Sequence, residues 1–326
     1  MMAEDSVVMT EDLKKYFPSK KGVVKAVDGV DLSVMPGEIF GFLGPNGAGK
    51  TTTLRMLTTL IPPDDGRAIV AGFNVRTEPD KVRRNIGYVG QNGGSDLPAT
   101  GRENLVLQGR LYGMSAADSK ARARELIELL DLTEFADRIA YTYSGGQRRR
   151  LDVAIGLMNR PQVLFLDEPT TGLDPQNRAN LWAQIKKLQA EGATIFLTTH
   201  YLDEADVLSD RLAIMDHGKI IDEGTPEALK KEVAHECITI RVERHEENEA
   251  ALLDRLEHED FVLEVSAQEG HVKLCVRELA SDLPLLLRVL DRQGVGLQTV
   301  QLAETTLDDV FLQKTGYSLR DLTPEG

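Results

Sequence analysis

Gly44-Pro45-Asn46-Gly47-Ala48-Gly49-Lys50-Thr51 fits the pattern G-x-x-x-x-G-K-T, and no other stretch constrains the chain as tightly. It follows an apolar run, Glu38–Leu43, that reads as a strand. It opens an amphipathic run, Thr51–Thr59, that reads as a helix. Glycines let successive backbone N–H groups turn inward around phosphate oxygens, and a helix N-terminus adds partial positive charge. Lys50 would then contact β- and γ-phosphates, and the Thr51 hydroxyl would coordinate Mg²⁺. Residues Gly44, Pro45, Asn46, Gly47, Ala48, Gly49, Lys50, Thr51 and Thr52 form the expected nucleotide-binding set.

The first 225 residues alternate strand-like and helical patterns. Arg84–Val89, Val163–Leu166 and Thr194–Thr199 are short, apolar or β-branched, and bounded by turns. Ser119–Leu130 and Asn177–Ala190 are amphipathic. Strands separated by helices imply an α/β fold with a largely parallel sheet. Val163-Leu164-Phe165-Leu166 shows no polar alternation, as expected of a strand covered on both faces. Asp167 and Glu168 follow it, which places two carboxylates at the edge where open α/β sheets bind ligands. Asp167 would hold Mg²⁺, directly or through water, and Glu168 would polarise an attacking water. Asp96 to Arg160 is mostly helical in pattern and reads as an inserted helical lobe.

Composition narrows the partners. The net charge of −14 argues against duplex nucleic acid. Most of that charge lies beyond Pro226, where 11 basic residues face 21 acidic ones, so a domain boundary is expected near residue 225. Residues 226–326 read in the order β-α-β-β-α-β. The strands are Cys237–Val242, Phe261–Ser266, His271–Arg277 and Leu297–Leu302, and the helices Asn248–His258 and Ser281–Gln293. That order matches a ferredoxin-like α+β domain, with a hairpin around Gln268-Glu269-Gly270. A last amphipathic piece, Thr306–Lys314, would pack through Leu307, Val310 and Phe311. His235, His245, His258 and His271 lack metal-ligand spacing and read as surface residues. Cys237 and Cys275 alternate away from the apolar residues of their strands, and so would lie on an open sheet face as reduced thiols in a reducing cytoplasm. The acidic N-terminus does not read as a signal peptide, and no apolar run approaches the ~20 residues of a membrane span.

Ser144-Gly145-Gly146-Gln147, preceded by Tyr143, lies between the phosphate loop and Asp167-Glu168. This order resembles the ATP-binding-cassette (ABC) ATPase family, whose signature usually carries Leu where Tyr143 stands. The likeness covers about residues 5–225. It implies that Gln91 is the Q-loop glutamine, Gly172-Leu173-Asp174 the D-loop and His200 the switch histidine. Tyr16 sits where the family places an adenine-stacking aromatic, with Phe17 the rival. Arg148–Arg150 reads as a solvated helix face, with phosphate or a membrane partner as the other reading. Farther on, Glu304-Thr305-Thr306-Leu307-Asp308-Asp309-Val310-Phe311-Leu312, then Thr315-Gly316, resembles the C-terminal motif of the daunorubicin/doxorubicin-resistance type, and Gly101-Arg102-Glu103-Asn104-Leu105 in the helical lobe also resembles that subfamily.

The resemblance implies a homodimer of cassettes packed head to tail. ATP would lie between the phosphate loop of one copy and Ser144, Gly145, Gly146 and Gln147 of the other. Gln91 would sense γ-phosphate, water and Mg²⁺, His200 would stabilise the γ-phosphate, and Asp174 would link the two sites. An exporter's permease on a separate chain would be the partner, reached through the groove near Gln91 and the helical lobe. The chain would then sit peripherally on the cytoplasmic face of the membrane. Two other readings are a soluble cassette ATPase in translation or DNA maintenance, and an interaction protein using ATP as a switch.

Overall fold

A computed structural model of the chain describes residues 5–20, 22–233, 236–242, 249–268, 271–276, 279–292, 297–303 and 305–318. These form two compact units, one reaching to Pro226 and one over Glu227–Ser318.

The first unit opens with a hairpin of β1 (Val8–Ser19) and β2 (Gly22–Val34). β3 (Ile39–Leu43) delivers α1 (Lys50–Leu57), and β4 (Asp65–Val70) and β5 (Phe73–Asn74) return to the hairpin. α2 (Pro79–Asn85) leads into β6 (Ile86–Val89). The helical lobe holds α3 (Gly101–Leu111), α4 (Ala116–Leu129), a 3₁₀ turn at Ala140–Thr142 and α5 (Gly145–Gly156). β7 (Val163–Asp167), α6 (Pro175–Ala190), β8 (Ile195–Thr199) and α7 (Leu202–Leu208) follow, then β9 (Arg211–Asp216) and β10 (Lys219–Gly224).

The strands make two sheets, ordered β2-β1-β4-β5 and β10-β9-β3-β8-β7-β6. The second is parallel from β9 through β6. β3, β7 and β8 are buried along their whole length, and their two faces feed two cores. Phe40, Phe165 and Phe196 point to the antiparallel sheet, with centroid separations of 5.5 Å. Leu164, Leu166, Ile195 and Leu197 point to the helical lobe and α6. Each such side chain contributes about 1.5–3 kcal/mol by leaving water.

Register sets the site. Leu43 pairs with Thr199 and Asp167 with Thr198, so β3, β8 and β7 end together. Val89 pairs with Leu166, which brings the chain after β6 to the same edge. The phosphate loop, His200, Glu168 and Gln91 therefore all leave the sheet on one side.

The second unit contains α8 (Pro226–Val233), β11 (Glu236–Val242), α9 (Glu249–Glu257), β12 (Val262–Gln268), β13 (His271–Val276), α10 (Leu279–Arg292), β14 (Leu297–Ala303) and α11 (Leu307–Thr315). Its antiparallel sheet runs β12-β13-β11-β14, the order a split β-α-β repeat produces. Leu256, Leu286 and Leu290 cover Ile238, Ile240, Val272 and Leu274 on one face. Leu307, Val310 and Phe311 of α11 are buried, and a Thr306–Asp309 capping box starts that helix.

The two cysteines correct the sequence reading. Cys237 lies directly opposite Cys275 in the β11–β13 register, and the two form a disulfide. They do alternate away from the leucine-rich face, but the face they occupy is not open. Both are buried and line a cavity of about 160 Å³ with Val233, Lys273, Asp309 and Leu312. His258 and His271 are exposed, while His235, His245, Glu269 and Gly270 lie outside the described residues.

Candidate nucleotide-hydrolysis site

The phosphate loop is moulded by close packing. A side chain on Gly44 would strike the Met215 carbonyl, and one on Gly49 the Ala26 carbonyl. Gly47 and Gly49 have φ of 84° and 113°, the left-handed region that glycine enters without cost. Asn46 and Gly47 form the exposed crest, while Ala48, Gly49 and Lys50 are buried. Lys50 Nζ donates to the carbonyls of Gly44 at 2.6 Å and Pro45 at 2.9 Å. Burial pushes its pKa down to about 8, with Glu168 and Asp167 pulling the other way. Thr51 and Thr52, on the first turn of α1, are half-buried.

Thr51 Oγ1 lies 3.1 Å from Asp167 Oδ1. The same carboxylate oxygen accepts from Thr198 Oγ1 at 2.7 Å, which fixes its orientation. A hydroxyl and a carboxylate converging in this way are the hard oxygen donors that Mg²⁺ prefers, so the residues fit that ion.

Glu168 is the centre of the site. Its φ is 45°, an uncommon value for a non-glycine residue, and Thr198 Oγ1 accepts from its backbone N–H at 3.1 Å. Gln91 Nε2 donates to Glu168 Oε2 at 3.2 Å. His200 Nδ1 stands 3.3 Å from the same oxygen, and Lys50 Nζ 3.9 Å from the other. Burial alone would raise the Glu168 pKa. The adjoining His200 and Lys50 outweigh it and hold the carboxyl below its ordinary value.

Ser144, Gly145, Gly146, Gln147 and Asp174 form a second group. Ser144 caps α5 in a capping box with Gln147, and Asp174 caps α6 by accepting from Asn177 N at 2.9 Å. Gly146 packs on Asn177 and Gly145 on Leu173, so the signature turn lies against the start of α6. Tyr143 is buried in the lobe and donates to the Phe135 carbonyl at 2.6 Å.

Tyr16 is tied to the phosphate loop by a relay. Its hydroxyl donates to the Asp28 carboxylate, Asp28 N donates to the Gly218 carbonyl, and Gly218 N donates to the Ala48 carbonyl. Lys25 Nζ lies 5.5 Å from the Tyr16 ring centroid. Phe17 alternates away and is 39% exposed.

Arg149 corrects the expectation of a solvated face. It is 7% exposed and donates to the carbonyls of Pro169 at 2.7 Å, Gly90 at 2.7 Å and Asp167 at 3.0 Å. It thereby ties the Gln91 segment to the end of β7. Asp152, one turn later, accepts from Gly94 N and Ser95 N, both at 3.0 Å. The three- and four-residue spacing of Gly146, Arg149 and Val153 marks one helix face, a signal that the run of three arginines obscures. Thr198 was missed as well; the signal was a hydroxyl closing the apolar run Ile195-Phe196-Leu197, which once buried needs a partner.

Residues 27–171 match the ABC transporter family, and residues 224–315 match the C-terminal domain of DrrA1-3-like ATP-binding proteins. The daunorubicin/doxorubicin resistance ATP-binding protein DrrA of Streptomyces peucetius is 44% identical over 92% of this chain and 91% of its own. The doxorubicin resistance ATP-binding protein DrrA of Mycobacterium tuberculosis is 40% identical over 99% of this chain and 98% of its own. The Nod factor export ATP-binding protein I of Paraburkholderia xenovorans is 38% identical over 97% and 99%. A solved dimeric bacterial ABC transporter cassette superposes with a TM-score of 0.61 at 27% identity, over 67% of this chain and 98% of that one. This chain is thus an ATPase of the ABC transporter family and belongs to its daunorubicin/doxorubicin-resistance type of ATP-binding subunit.

Proposed function

We propose that this chain hydrolyses ATP at the Glu168 carboxylate as one of two copies, and so drives a separate membrane permease that exports antibiotic-like cargo. The observation that carries the site is the convergence on Glu168 of Lys50, Gln91 and His200, delivered by three different strand ends. Relatives named for drug resistance and for Nod factor export support the exporter role over a non-transport ATPase.

The chemistry follows from the placement. Tyr16 would receive the adenine, and the backbone of Gly44–Thr51 would wrap the phosphates. Mg²⁺, held by Thr51 and Asp167 with Gln91 nearby, would supply charge neutralisation at the β- and γ-phosphates. Glu168 orients the attacking water and receives its proton as the water oxygen bonds to the γ-phosphorus and the bond to ADP breaks. His200 and Lys50 stabilise charge on the γ-phosphoryl oxygens. Ser144–Gln147 of a second copy would close the site, with Asp174 at the dimer seam.

The permease contact is assigned to the helical lobe on the cytoplasmic side. Leu107 and Leu111 stand one turn apart on α3, 50% and 73% exposed, with Tyr141 73% exposed. No helix among the described residues is long and apolar enough to cross a membrane. The test is a detergent pull-down of tagged chain from native membranes, followed by mass spectrometry. A stoichiometric multi-span protein, lost in Leu107→Glu/Leu111→Glu with basal hydrolysis retained, supports the reading. Recovery of soluble proteins alone, with the chain absent from the membrane fraction, overturns it.

A further inference from the structure

Asp174 caps α6, and Arg178 and Trp182 follow it at four-residue spacing, which sets these two helical side chains on one face. The last two reach the segment that carries His200. Arg178 Cζ lies 4.3 Å from the Tyr201 ring centroid, and that ring stands 4.1 Å from the His200 imidazole. Arg178 also pairs with Asp203 at 3.6 Å, which keeps the guanidinium over the ring. Tyr201 is therefore held between a cation and the histidine, and it limits how far the imidazole can turn from Glu168.

One turn along, Trp182 Nε1 donates to Glu204 Oε1 at 3.0 Å. Glu204 is fully buried. Burial pushes its pKa up, and the Thr199, Thr170 and Trp182 side chains pull the other way. The Thr199 and Thr170 side chains face its carboxyl, and Glu204 Oε2 and Thr170 Oγ1 are both buried. Thr199 immediately precedes His200, and Thr170 lies two residues after Glu168. Glu204 thus joins α6, the approach to the histidine and the exit from the acid.

We propose that Tyr201 and Glu204 are positioning residues for His200, braced from α6 by Arg178 and Trp182. The inference rests on His200 acting at the γ-phosphate. It adds the reason that the imidazole stays within 3.3 Å of Glu168.

The test is steady-state hydrolysis by the full chain, with kcat and ATP KM resolved. Tyr201→Ala should lower kcat roughly 10- to 100-fold, the scale of a displaced catalytic group, with KM nearly unchanged because the nucleotide-binding residues are untouched. Tyr201→Phe, which keeps the ring, should retain most of kcat. Glu204→Gln still accepts from Trp182 and should retain most of kcat, whereas Glu204→Leu should not. In a His200→Ala background, Tyr201→Ala should lower the residual rate no further, which a merely structural defect would not obey. The proposal fails if Tyr201→Ala keeps kcat, if Tyr201→Phe falls as far, or if the two losses add. Should Glu204→Leu not fold, the Tyr201 pair decides. His200→Ala separates the two levels: if it retains hydrolysis, the site reading falls and takes the brace with it. If it loses hydrolysis while Tyr201→Ala does not, only the brace falls.

Discussion

Gln91 Nε2 and Glu168 Oε2 meet at 3.2 Å across 77 residues of sequence. Neither belongs to a strand; each follows the end of one. The contact exists because β6 and β7 pair in register and stop together. The glutamine proposed to sense the γ-phosphate is thereby in direct touch with the proposed general base.

Glu168→Gln is expected to keep ATP binding and to lower hydrolysis about 10²- to 10⁴-fold, the usual contribution of a general base. Because ATP is then held uncleaved, two chains should stay closed around it. Size-exclusion chromatography with ATP checks this: a stable dimer in the variant, and a monomer once nucleotide is removed. Hydrolysis at the wild-type rate would remove Glu168 from its role.

Lys50 makes ATP affinity depend on pH. Burial lowers its pKa to about 8, so the ammonium form dominates below that value and is lost above it. Phosphate charge favours the ammonium and raises the pKa in the complex. Affinity is therefore full below pH 8 and falls above it, by up to about tenfold per pH unit, with a proton taken up on binding. Titration calorimetry in buffers of different ionisation enthalpy measures that proton. A Kd constant from pH 7 to 9.5 would contradict the assignment.

Arg149→Lys removes a fork that spans three carbonyls, and an ammonium reaches fewer of them. Each charge-assisted bond lost from a buried site costs about 1.5–3 kcal/mol. The urea midpoint should fall and kcat should drop with it, since the anchor behind Gln91 loosens. An unchanged kcat beside a lowered midpoint would make Arg149 purely structural.

The cross-strand pair Cys237–Cys275 closes a separation of 38 residues. Chain-entropy arguments for a loop of that size give about 3–4 kcal/mol to the C-terminal unit. Peptide mapping without reductant should recover the linked peptide. Cys237→Ser/Cys275→Ser should lower the melting temperature of that unit and leave nucleotide binding intact. Two freely alkylated thiols in the folded, unreduced chain would show that the bridge does not form in solution.

Strand ends, the phosphate loop and the acid pair were legible because buried parallel strands read as unbroken apolar runs, as in Val163–Leu166. The hairpin of β1 and β2 was not. Its register shifts between Thr10 and Leu13, and Asp12 has φ 48°, so the two-residue alternation that marks a strand is broken. The side of the sheet taken by Cys237 and Cys275 was readable from alternation. Its covering was not, because that needs the docking of α11, which comes from Leu307, Val310 and Phe311 some thirty residues farther on. Arg149 was hidden by its arginine neighbours, since a run of like charges reads as solvated until one member is placed on the buried face.

Gly146 packs on Asn177 and Gly145 on Leu173, so the serine turn and the Asp174 cap are two corners of one surface. A twin chain meeting that surface cannot touch one corner and miss the other. In the proposed head-to-tail pair, grasping nucleotide and signalling to the opposite nucleotide would become a single act, and a half-made handshake would have little to hold it. The pair should therefore close as a latch does, shut or open, rather than by degrees.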